Sequence, residues 1–162
     1  MKKLKKRIYT LLKSDDFMAA MEEIRKFPAR KIINPLISLL FDKDEKIKRK
    51  AVKATGIVVA ELANHDMESA RVIMRRFMWS LNDESGGIGW GAPEAMAEIM
   101  ARHGKLAKEY HKILISYSEP GGKNYLEHEA LQKGVRDGIK RLSEARPELF
   151  ETLASQRSDL NL

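Results

Sequence analysis

The chain has 162 residues, with 30 Lys/Arg against 23 Asp/Glu, a formal net charge of +7 and no cysteine. A chain of this length suits one domain that buries about 68–70% of its unfolded surface, so neither disulfides nor a structural metal is needed to hold it together. The missing cysteines exclude thiolate nucleophiles and Cys-based zinc or iron–sulfur sites; the four histidines, His65, His103, His111 and His128, show no ligand spacing such as HExxH. No metal and no cofactor is expected.

Charge is unevenly placed. Residues 1–60 carry 16 Lys/Arg against 7 Asp/Glu, a balance of +9, and the remainder is slightly acidic. Such asymmetry marks either a solvated lysine-rich helix surface or a face for an acidic partner. The basic start resembles a signal peptide, but the apolar stretch from Ile8 to Leu12 is shorter than the about 7–15 residues required. No run approaches the ~18 apolar residues of a membrane span. A cytoplasmic location is the expectation.

In chain order, Leu4, Ile8, Leu11 and Leu12 repeat at helical spacing, and Ser14-Asp15-Asp16 caps a second helix carrying Phe17, Ala20, Met21 and Ile24. Pro28 closes that pair. The next pair carries Ile32, Ile33, Leu36, Ile37 and Leu40, then Ile47, Ala51, Ala54, Thr55, Val58 and Leu62, with Pro35 expected near the start of the first helix. A third pair runs from Met67 through Leu81, with Trp79 read as core, and resumes at Pro93 with Ala95, Met96, Ile99 and Met100. The fourth has a helix over residues 106–117 and another carrying Leu126, Ala130, Leu131, Val135, Ile139 and Leu142, capped by Asn124 with Glu127. Met18, Met21, Met74, Met78, Met96 and Met100, at helical spacing, read as packing residues. Pro147 opens a last short helix. The domain is expected to span residues 1–154, with a frayed tail over 155–162.

Shifting residues 36–56 by 41 positions superposes the pattern on itself: Leu36, Leu40, Asp42, Ile47, Ala51 and Ala54 fall on Phe77, Leu81, Asp83, Ile88, Ala92 and Ala95. A period of roughly 40 residues, written as two helices around a polar turn, signals a stacked repeat. Residues 31–56, KIINPLISLLFDKDEKIKRKAVKATG, resemble a HEAT-like repeat of the phycobilisome-lyase type. WSLNDESGGIGWGAPEAMAEI and NYLEHEALQKGV resemble segments of a small group of uncharacterised bacterial HEAT-repeat proteins. The resemblance implies an all-α chain, an α-solenoid of about four HEAT-like helix pairs in a right-handed superhelix. It implies no activity.

In such an array the second helix of each pair lines the concave side. The stripe Ile47-Ala51-Ala54-Val58 leaves Lys46, Arg49, Lys50 and Lys53 facing away from the core, fit for phosphates or an acidic partner. One period later stand Gly87, Trp90, Gly91 and Glu94; in the fourth pair stand His128, Glu129, Gln132 and Arg136. Gly86, Gly87, Gly89, Gly91 and Pro93 fall where the preceding repeat starts its helix, so this helix should begin late and leave backbone N–H groups beside Trp90. Asp83, Glu84, Gly87, Trp90, Glu94, His128 and Glu129 are therefore the candidate ligand-binding residues. The rival reading is structural: glycines shaping a wide turn, and Trp90 filling a gap between repeats.

No nucleophile–base pair supports catalysis. The expected function is a non-catalytic module that recognises a protein or peptide in its groove, with Trp90 as anchor. The alternative is nucleic-acid binding through residues 46–53, similar to the DNA-alkylation-repeat glycosylases. Enzymatic action as in the phycobilin lyases rests on the fold resemblance alone.

Overall fold

The computed structural model describes residues 2–151; Met1 and residues 152–162, including the expected frayed tail, lie outside the described residues. Among the described residues eight α-helices follow one another: α1 (Lys2–Lys13), α2 (Phe17–Ile24), α3 (Ala29–Leu39), α4 (Glu45–His65), α5 (Met67–Ser80), α6 (Ala92–Arg102), α7 (Gly104–Ser116) and α8 (Glu129–Ala145). Residues 147–151 are also helical, and no strand occurs among the described residues. No helix there is long and apolar enough to cross a membrane.

Short polar residues punctuate the chain. The Asp16 carboxylate accepts from Ala19 N at 3.0 Å, Asp44 from Lys46 N at 2.9 Å and Asp66 from Ser69 N at 3.1 Å, each satisfying an N–H that the first helical turn leaves without an internal partner. Histidines do the same for α7 and α8: Nδ1 of His103 accepts from Leu106 N and Nδ1 of His128 from Ala130 N, both at 3.3 Å.

Helices adjacent in sequence pack together except α2 and α3, where α1 packs on α3 instead, and α4, α6 and α8 also pack side by side, with α6 in the middle. That position dictates its composition. Ala92, Pro93, Ala95, Met96, Ala97, Glu98, Ile99 and Met100 are all buried, so small residues face both neighbours. Glycines on the flanking helices bring them close: Gly56 of α4 lies against Glu98, and Gly138 of α8 against Ala97 and the Pro93 carbonyl. Ion pairs tie helices about one repeat apart in sequence: Arg25–Glu61, Arg71–Glu109 and Arg141–Glu98.

Several sequence expectations need correction. Pro35 sits mid-helix in α3, because Pro28 starts that helix early: its carbonyl accepts from both Lys31 N and Ile32 N. Trp79 is 55% exposed and Met18 68%, so neither is core. In the repeat, Leu36/Phe77, Leu40/Leu81, Ala51/Ala92 and Ala54/Ala95 are buried as pairs, but Ile47 is buried and Ile88 is 46% exposed. The fourth pair departs most. Asn124 does not cap α8; its side chain donates to Ser116 Oγ at 3.0 Å, and the helix starts at Glu129 behind His128. Leu126 thus precedes the helix and Ala130 is exposed. Gln132 turns inward, its amide donating to the Tyr117 and Leu126 carbonyls at 2.7 and 2.6 Å.

Candidate functional site

The second helices of the last three pairs enclose a groove of about 850 Å³. From α4 come Glu45, Lys48, Arg49, Val52 and Lys53, one face at three- and four-residue spacing. Trp90 and, from α6, Glu94, Glu98 and Arg102 form a line of four-residue steps along the floor. From α8 come Ala130, Lys133, Gly134, Asp137, Gly138 and Arg141.

The floor carboxylates are already engaged. Glu94 lies 3.7 Å from Lys48 Nζ, and its carboxylate fits against Gly134, where any side chain would collide with it. Glu98 is only 8% exposed. It accepts Nε of Arg102 at 2.9 Å on Oε1, Nε of Arg141 at 2.9 Å on Oε2, and Nη2 of Arg141 at 3.2 Å on Oε1. Such charge-assisted bonds are what a buried carboxylate requires. The same pairing holds Arg141 above the ordinary arginine pKa. Lys53 also rests on the Phe17 ring, 4.9 Å from its centre.

Of the expected basic residues, Arg49 and Lys53 line the groove, while Lys46 is exposed outside it and Lys50 donates to the Ser14 carbonyl at 2.9 Å, toward the α1–α2 turn. Of the expected ligand-binding residues, Trp90 and Glu94 line it. Gly87 and His128 instead line a second hollow of about 520 Å³, between the glycine-rich loop and residues 121–128. Glu84 and Glu129 are exposed and line neither. Asp83 opens a 3-10 turn, Asp83–Ser85; its side chain lies outside the described residues. Arg136, expected in the groove, is exposed outside it.

Trp90 and His128 meet on the boundary of the two hollows, ring centres 4.9 Å apart and planes at 89°. The late helix start is present as expected: one repeat after Glu45 stands Gly86, yet α6 begins only at Ala92. Its N-terminus is not an open anion cradle. Gly89 and Gly91 both take φ +77°, a Cβ on Gly91 would meet Leu40 at 2.8 Å, Ala92 N donates to the Gly89 carbonyl, and Pro93 has no N–H. The glycines shape a close turn.

No protein family, curated protein or solved structure was found to match the chain. Its functional reading therefore rests on the groove. Glu98, which the sequence places in the groove with Glu94 and Glu129, does line it, whereas Lys48, Arg102, Lys133, Asp137 and Arg141 were not singled out from the sequence as groove residues. The signal for Arg102 is the line Trp90-Glu94-Glu98-Arg102, four residues apart. Among the described residues no cluster of His, Asp and Glu is placed to hold a metal. His111, the buried histidine, bonds to the Ala107 carbonyl at 2.8 Å.

Proposed function

We propose that the chain is a non-catalytic, cytoplasmic binding module whose groove between α4, α6 and α8 receives a peptide segment of a protein partner. The observation that carries this reading is the groove's make-up. One continuous depression crosses three helices, with an indole wall at Trp90, apolar surface from Val52 and Ala130, and a polar floor whose carboxylates have internal partners. Partly exposed aromatic side chains of this kind anchor protein interfaces.

The matching architecture is a HEAT-like α-solenoid in a right-handed superhelix. Its support is the side-by-side packing of alternate helices and the ion pairs that recur about one repeat apart.

Panning a random-peptide library on the chain and measuring the recovered peptides against Trp90→Ala tests the anchor. An affinity loss of about fivefold or more, with the circular dichroism spectrum unchanged, is the expected result. Equal affinity for both proteins removes Trp90 from the site. Nucleic-acid binding is the weaker reading, because Lys46 and Lys50 leave the groove and Glu94, Glu98 and Asp137 lie along the path of a phosphate backbone.

A further inference from the structure

The Glu98 cluster carries more positive charge than it needs. One buried carboxylate holds two guanidinium groups, and Arg102 binds it through Nε alone, leaving both of its terminal nitrogens without a partner among the described residues. Arg141 uses Nε and Nη2, so Nη1 remains. Both side chains keep access to solvent, at 28% for Arg102 and 42% for Arg141. Lys53 lines the same groove, and with Arg102 it also lines an adjoining hollow of about 320 Å³ beside α2. Glu144 adds only a through-space field on Arg141.

A guanidinium fixed through one edge presents the other in a set plane, which suits a second carboxylate better than a mobile lysine would. We propose that Arg102 and Arg141, oriented by Glu98 and supported by Lys53, form a subsite for an acidic side chain of the bound peptide. This rests on the peptide-binding reading above and names the chemistry of its ligand. Glu98 acts here as a positioning residue. Trp90 lies toward the opposite end of the α6 line, so the peptide runs with an apolar or aromatic residue at Trp90 and its Asp or Glu at the arginines.

The test uses the full chain, a random-peptide library and the variants Arg102→Gln and Arg141→Gln, both of which alter partly exposed side chains. Peptides recovered on the unaltered chain should be enriched in Asp or Glu at a fixed offset from an apolar residue. Their affinity should fall about tenfold in either variant, the size of one charge-assisted hydrogen bond, and Glu-to-Gln peptides should bind all three proteins equally weakly. Peptides that need Trp90 but show no acidic preference overturn the subsite and leave the groove reading intact. A chain that recovers no peptide loses both. Binding of an oligonucleotide that weakens in the same two variants, with no peptide recovered, replaces the acidic peptide by a phosphate backbone.

Discussion

The imidazole of His128 stands edge-on to the indole of Trp90, with ring planes 89° apart and centres at 4.9 Å, while its Nδ1 accepts from Ala130 N to begin α8. One side chain thus performs two tasks. It caps a groove helix and braces the aromatic wall. His128→Ala should remove both, costing about 1 kcal/mol of stability. His128→Asn restores a cap but not the ring contact. In a Trp79→Phe background, urea unfolding should separate the two variants while the Trp90 emission shifts in both. Unaltered emission would mean the ring contact does not form in solution.

Gly56 and Gly134 make opposite predictions although both touch a glutamate of α6. A Cβ on Gly56 would sit 2.5 Å from Glu98 Cγ and 3.1 Å from its backbone carbon, so relief requires moving α6 itself. The three atoms nearest a Cβ on Gly134 all belong to the carboxylate end of Glu94, which can swing away from Lys48. Alanine gains about 1 kcal/mol of helix propensity at either site, and overpacking costs about 1–3 kcal/mol. Gly56→Ala should therefore destabilise by up to about 2 kcal/mol, and Gly134→Ala should be neutral or slightly stabilising. Urea midpoints at constant slope decide; equal shifts would contradict the close approach of α4 to α6.

Helix positions were readable where apolar spacing and a capping Asp coincided, as at Asp16; Asp44 and Asp66, not singled out as caps, cap the next helices in the same way. The groove was readable only in part. Arg49, Lys53, Trp90 and Glu94 lie on it, but a stripe read one helix at a time does not say which flank a neighbour covers. Lys50 reaches the α1–α2 turn for that reason. On α8 the error was one of phase: Asn124 and Glu127 fit a capping pattern, but His128 took the cap, and a helix begun at Glu129 presents Lys133, Asp137 and Arg141 to the groove. Glu98 was legible as an acidic groove residue, but its burial was not. A charged residue inside a small-residue helix looks out of place until the arginine about one repeat later is seen to reach it.

His103 couples a helix cap to acidity. Burial, reinforced by the nearby Arg146 charge, holds it below the ordinary histidine value of about 6.5. Its Nδ1 accepts from Leu106 N, so the cap needs the neutral ring. The unfolded chain then binds more protons than the folded one between the folded value and about 6.5, and stability falls as pH drops through that window. Proton NMR should show His103 titrating below 6.5 in the folded chain, and His103→Asn should remove this part of the pH dependence. Titration at or above 6.5 would refute the assignment.

Tyr117 gives the matching prediction at alkaline pH. It is 5% exposed at the end of α7, and burial pushes its phenol up to about 12. The neutral form is favoured in the fold, so its contribution is fully present below the ordinary tyrosine value of about 10 and is lost as pH rises from there to about 12. Ultraviolet titration should show a phase near 12 that Tyr117→Phe removes. With Phe the ring packing stays, and the folded chain should hold its stability further into the alkaline range. A titration in which Tyr117→Phe removes no phase near 12 would place Tyr117 in water, against its 5% exposure.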